Sequence, residues 1–102
     1  MSSFREYRDE RLKDPAFRAE YEAPGAEFEF IESLIAARLA AGLTQAELAE
    51  RLGTKQPAVA RLESGAMPPS LDMLKRLAKA LNVRFEITPR ETIEVYPVRS
   101  PA

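Results

Sequence analysis

Lys55, Gln56 and Arg61 are the side chains in this sequence best placed for recognition chemistry. Two cations and an amide share a short helical stretch whose other positions include Val59 and Leu62. Packing alone gives a poor reason for them, and together they can donate and accept directional hydrogen bonds. Covalent chemistry has less to work with. The chain contains no Cys, hence no thiolate nucleophile, no disulfide framework and no Cys-based zinc site. It contains no His, the usual general base and commonest transition-metal ligand. Glu27, Glu29 and Glu32 could suggest metal or acid–base work, but without a His or an EF-hand spacing they read as a solvated face. Gly53 and Gly65 read as turn residues, not as part of a phosphate loop. The expectation is a binding protein and not an enzyme, with no catalytic residues, metal, cofactor or small-molecule substrate.

The elements that must position those side chains are legible along the chain. Its 102 residues suit one domain. Asp14-Pro15 is a helix start, with Phe17 and Tyr21 four apart on one face. Phe4 and Tyr7, three apart, also share a face before it. Pro24-Gly25 interrupts the chain. A longer amphipathic helix follows, with Phe28, Ile31, Ile35 and Leu39 on one stripe, stopped at Gly42. Thr44 and Glu47 form a capping box, with Leu43 and Leu48 as the hydrophobic staple around it. Gly53 ends that helix, and Thr54 is expected to cap the next, which has Pro57 in its first turn and ends near Ser64-Gly65. Ser70 caps a further helix with Leu71, Leu74, Ala78 and Leu81 facing inward. Beyond Asn82 the period changes to two, through Val83, Phe85 and Ile87 and again through Ile93 and Val95, which predicts a hairpin. The longest apolar stretch, Leu34 to Leu43, is broken by Arg38, so no membrane span is expected. The start lacks a signal-peptide core, which predicts a cytoplasmic protein.

Thr44 to Ser64, TQAELAERLGTKQPAVARLES, thus describes two short helices joined through a glycine, a helix-turn-helix. Leu43-Thr44-Gln45, Leu48-Ala49, Leu52-Gly53, Gln56, Val59 and Leu62-Glu63 resemble the Xre/Cro/C1 family of phage-repressor-type domains across about 28–82. The resemblance implies a mainly α fold: a five-helix helix-turn-helix domain over 27–82, an acidic N-terminal helical extension over 1–26, and a strand or hairpin with a tail over 83–102. It further implies that helix 55–63 enters the major groove of double-stranded operator DNA. Lys55, Gln56 and Arg61 would then face base edges, with Pro57 and Ala58 near a thymine methyl. Gln45, Thr54, Ser64 and Gly65 would contact phosphates. Pro57, Ala58 and Ser64 depart from the family's usual polar residues, which reduces the polar contacts available.

A narrower resemblance, through Lys13-Asp14-Pro15-Ala16-Phe17-Arg18-Ala19-Glu20-Tyr21 and Glu27-Phe28-Glu29-Phe30-Ile31, is to HigA-type antitoxins of toxin–antitoxin pairs. It implies a small basic RelE-like ribonuclease as partner and repression of the shared operon. The charge distribution fits. Residues 1–32 carry five basic and nine acidic side chains, a net of −4, whereas 33–90 carry nine basic and five acidic, a net of +4. Opposite fields steer association, so Phe17 and Tyr21 are candidate partner contacts. Val83, Phe85 and Ile87, on a strand with an open edge, are candidate homodimer contacts. Two other readings stay open: a stand-alone repressor, and an interaction module that has lost DNA binding.

Overall fold

The computed structural model describes residues 4–11, 13, 26–66, 68–90 and 92–98. The second short helix expected from Asp14, with Phe17 and Tyr21, and the break at Pro24-Gly25 lie outside the described residues. Among the described residues the order is α1 (Arg5–Arg11), α2 (Ala26–Ala40), α3 (Gln45–Leu52), α4 (Gln56–Glu63), α5 (Leu71–Leu81), β1 (Val83–Ile87) and β2 (Ile93–Pro97). This is the mainly helical architecture with a C-terminal hairpin that the sequence predicts.

α2 is the central element. Its sequence reads as one apolar stripe, but every residue from Phe30 to Ala37 is buried. A helix covered all round is the middle of a core and not its edge. α1 packs on α2, as do α4 and β2. Two expectations fail for that reason. Glu32, expected on a solvated face, is fully buried, while Leu39, expected on the stripe, is 42% exposed because it lies beyond the covering elements. Glu29 is exposed as expected.

The hairpin closes one side of this core. β1 and β2 are antiparallel, pairing Val83 with Pro97, Phe85 with Val95 and Ile87 with Ile93. Side chains alternate between faces along a strand, so Val83, Phe85 and Val95 share the inner face. Phe85 meets Phe30 edge-on, with ring centroids 5.7 Å apart. On the other face Arg84 and Glu86 are exposed, and α1 reaches only Glu94 of β2. Arg5 bonds the buried Glu94 at 2.6 Å, and the Phe4 N–H donates to the Val95 carbonyl at 3.0 Å. Arg8, only 4% exposed, donates to the Glu29 carbonyl and the Ser33 hydroxyl of α2, each at 3.4 Å. Two arginines of the acidic N-terminal region are therefore held against the body of the protein.

The ends of α3 follow the sequence signals. Thr44 Oγ1 accepts from the Glu47 N–H at 3.1 Å, and Glu47 Oε1 accepts from the Thr44 N–H at 3.0 Å. Leu43 and Leu48, the staple, are both buried. Gly53 ends the helix at φ +71°, a left-handed conformation that penalises any side chain with a Cβ. The amide of Thr44 holds the Glu47 carboxyl below its ordinary value near 4.5, with the Thr44 hydroxyl contributing in the same direction. A carboxyl whose folded pKa is depressed adds stability above its unfolded pKa and loses it as pH falls through the folded one. Acid titration of stability should therefore show a slope below pH 4.5 that Glu47→Gln reduces, measured by chemical denaturation at stepped pH.

α5 departs from its predicted stripe. Ser70 caps it, accepting from the Met73 N–H at 3.1 Å, and Leu81 is buried as expected. Leu71, expected inside, is 69% exposed, and Leu77 is fully buried instead. The inward face runs 73, 74, 77, 80, 81, again a helical spacing, and Ala78, expected inside, is half-buried at its margin. Leu71 is the first residue of the helix and lies off that buried face.

Candidate nucleic-acid interface

α4 is anchored by what it buries. Val59 and Glu63 are buried and Leu62 half-buried, which fixes the rotation of the helix and leaves Lys55, Gln56, Pro57, Ala58 and Arg61 exposed on the opposite side. The five expected base contacts are thus brought together on one surface.

Thr54 does not cap α4. Its N–H donates to the Ala49 carbonyl at 2.9 Å, and the Gly53 N–H donates to Glu50 at 3.1 Å, so both residues belong to a Schellman ending of α3. The N-cap is Lys55, and no side chain caps the helix. Pro57 supplies the reason: it has no N–H to satisfy, and the next amide, Ala58, already donates to the Lys55 carbonyl at 2.9 Å.

The expected phosphate contacts are dispersed. Gln45 opens α3, and Thr54 lies in the turn between the two helices. Ser64 and Gly65 follow α4. The Ser64 hydroxyl donates to the Arg61 carbonyl at 2.8 Å and accepts from the Ala66 N–H at 3.3 Å. That hydroxyl braces the end of the helix, where Gly65 turns at φ +74°.

The sequence reading missed what lies beneath this surface. Arg38 of α2 and Glu63 of α4, with side chains only 12% and 6% exposed, form a two-pronged ion pair at 2.7 and 3.0 Å. Arg38 also donates to the Leu43 carbonyl at 2.9 Å. Glu63 Oε1 accepts a further bond from Gln45 Nε2 at 3.0 Å, and Gln45 Oε1 accepts from Gln56 Nε2 at 2.8 Å. The available signal was a charged residue inside each apolar pattern, Arg38 between Ala37 and Leu39 and Glu63 after Leu62.

The charges differ in how they are paired. Arg38 is neutralised by Glu63, Arg76 meets Asp72 at 3.0 Å and Arg84 meets Glu86 at 2.9 Å. Among the described residues, Lys55 and Arg61 make no ion pair, so their charges face solvent uncompensated. Beside them Ala58, Leu62, Pro69 and Met73 line an apolar groove of about 290 Å³ with Arg61 on its wall. Of the candidate dimer residues, Val83 and Phe85 pack into the protein's own core, while Ile87 is 80% exposed. No helix of the described residues is long and apolar enough to cross a membrane.

Comparison with known proteins agrees with this arrangement. Residues 34–87 match a family model described as helix-turn-helix. The chain is 35% identical over 74 residues to a Mycobacterium tuberculosis protein named antitoxin HigA1, covering 72% of this chain and 50% of that one. It is 37% identical over 59 residues to a Haemophilus influenzae HTH-type transcriptional regulator, covering 58% of this chain and 60% of the relative. A Methanothermobacter thermautotrophicus regulator of the same description is 50% identical over 40 residues, 39% of this chain and 58% of that one. The chain therefore spans about half the length of the antitoxin it matches. No solved structure matches the chain. The names of these relatives describe an antitoxin and HTH-type transcriptional regulators. With its paired short helices, left-handed Gly53 turn and outward polar face, the chain belongs to the Xre-type helix-turn-helix family.

Proposed function

We propose that the protein is a sequence-specific DNA-binding antitoxin that represses its own operon and neutralises a small basic RelE-like ribonuclease. The observation that carries the DNA-binding part is the exposed Lys55, Gln56 and Arg61 on a helix whose other side is locked into the core. In the docked complex α4 lies in the major groove with its first turn nearest the bases. Lys55 and Arg61 suit guanine O6 and N7, Gln56 suits adenine, and Pro57 and Ala58 suit a thymine methyl. Gln45, Thr54 and the backbone around Ser64 and Gly65 lie toward the phosphates.

The antitoxin part is supported by the similarity to antitoxin HigA1 over 72% of this chain and by the net charge of −4 over residues 1–32, which favours a basic partner. Phe17 and Tyr21 are the proposed apolar anchors. A gel shift on the DNA upstream of the gene, repeated with the product of the adjacent reading frame, tests both parts. Binding that the neighbour's product changes supports the full reading. Binding indifferent to the neighbour leaves a stand-alone repressor, and no binding leaves an interaction module.

Symmetric pairing accompanies DNA reading, because one short recognition helix makes few contacts and half-sites are spaced about 34–36 Å apart. Among the described residues the outer edge of β1 has no strand beside it, and Ile87 is exposed there. Pairing of β1 with β1 about a two-fold axis fills that edge. Sedimentation of the full chain should give a dimer that Ile87→Asp weakens without lowering the melting temperature. Phe85→Asp should unfold the protein, since it removes the ring that packs on Phe30. A wild-type chain that is monomeric at tens of micromolar would remove pairing from the mechanism.

A further inference from the structure

We propose that the groove between α4 and α5 binds a small carboxylate with an apolar body, and that this ligand takes Arg61 away from DNA. The coupling rests on the DNA-reading proposed above; the site itself does not. The floor of the groove is Leu52 and Val59, 4% and 1% exposed. Its sides are Leu62 and Met73, both half-buried. Pro68 and Pro69 close it from the loop between the helices. Their rings fix φ, so that wall needs little ordering when a ligand enters. The volume of about 290 Å³ stands at the small end of ligand clefts, which run about 300–1,000 Å³. It takes one short apolar body and not the face of a partner helix, which needs a row of anchors at i, i+3 or i+4, and i+7.

Apolar walls favour any apolar body, and the charge of the groove selects among them. Among the described residues that line it, Arg61 alone is charged, and no acid shares the wall. Asp72, at the start of α5, lies outside the lining and is engaged by Arg76 at 3.0 Å. Arg61 is exposed and makes no ion pair among the described residues. Its planar guanidinium can hold a carboxylate through two parallel N–H donors. The Ser70 hydroxyl, also on the wall, accepts from the Met73 N–H at 3.1 Å, so its own hydrogen remains to donate. A neutral ligand of the same shape leaves these donors unused, and a cationic one meets a like charge. The guanidinium donors that a carboxylate occupies are those that suit guanine O6 and N7. Ligand and operator therefore exclude one another, and each weakens the other by the same factor.

The probe is octanoate, with octanol as its uncharged match, titrated into the isotopically labelled, DNA-free full chain and followed by NMR. Octanoate should shift the methyl signals of Leu62 and Met73 and bind about tenfold more tightly than octanol. Arg61→Gln should remove that advantage. Met73→Phe, which fills the groove, should bind neither probe, and it should keep the wild type's affinity for the upstream duplex. Octanoate at about ten times its dissociation constant should lower the wild type's affinity for that duplex about tenfold and leave Met73→Phe unaffected. Acetate at the same concentration controls for ionic strength. Octanoate bound no more tightly than octanol, or shifts centred away from the groove, overturns the site. Octanoate bound in the groove with DNA affinity undiminished overturns the coupling. Dissociation of a dimer by octanoate, read by sedimentation, would give the groove to a second copy of the chain and overturns the proposal as well. If Met73→Phe does not fold, Arg61→Gln decides by the ratio of octanoate to octanol affinity. A wild type that binds no DNA removes the DNA-reading, and the titration of the DNA-free chain then judges the site by itself.

Discussion

Replacing Arg38 by Met should lower the stability of the fold by about 3–5 kcal/mol, because it strands the Glu63 carboxylate without its counter-charge. The side chains of Arg38 and Glu63 are 12% and 6% exposed, so water cannot substitute for the missing guanidinium. The substitution also frees the Leu43 carbonyl, which Arg38 holds at 2.9 Å just before the cap of α3. The pair itself need not stabilise the fold relative to apolar residues, since desolvation offsets much of the attraction. Arg38→Met combined with Glu63→Leu should therefore recover most of the lost stability, as read from urea denaturation midpoints. A single substitution costing less than about 1 kcal/mol would show the pair to be effectively solvated. The recovered double variant would still lack the acceptor that orients Gln45.

The second large effect concerns the proposed reading face. Arg61→Ala and Gln56→Ala should each weaken binding to the operator by about 1–3 kcal/mol, with relaxed specificity at one base position. Neither side chain supports the fold, since both are exposed, so the melting temperature should change by little. Lys55→Ala should in addition reduce the dependence of affinity on salt, in proportion to any phosphate contact it makes. Footprinting titrations at two ionic strengths separate these effects. Unchanged operator affinity in both Arg61→Ala and Gln56→Ala would place the reading face elsewhere.

The parts of this molecule that were legible in its sequence are those specified locally. The capping box at Thr44, the left-handed stop at Gly53, the cap at Ser70 and the two-residue period from Val83 each depend on a few neighbouring residues, and each stands where the sequence puts it. The errors occur where tertiary cover decides. The apolar stripe of α2 could not reveal that α1, α4 and the hairpin cover the helix from several sides, nor that Glu32 goes inside with it. Leu71 and Leu77 are chemically identical, and only their positions relative to the rest of the core distinguish them. Thr54 is a good cap by composition, but the Schellman ending of α3 leaves Lys55 in the N-cap position and Pro57 leaves little to cap. On the candidate site, the outward residues were readable from the helical period, whereas the connections beneath them were not. Arg38 and Glu63 are 25 residues apart, and their pairing depends on how α2 crosses α4.

The central claim is that α4 presents its exposed face to DNA, and its most direct measurement is a titration of the isotopically labelled full chain with the upstream duplex, followed by NMR. The largest shifts should fall on the backbone amides of Lys55, Gln56, Ala58 and Arg61 and on the side-chain amides of Gln45 and Gln56. Val59 and the buried residues of α2 should move little. Binding whose largest shifts fall on α1, with α4 unchanged, would contradict the account.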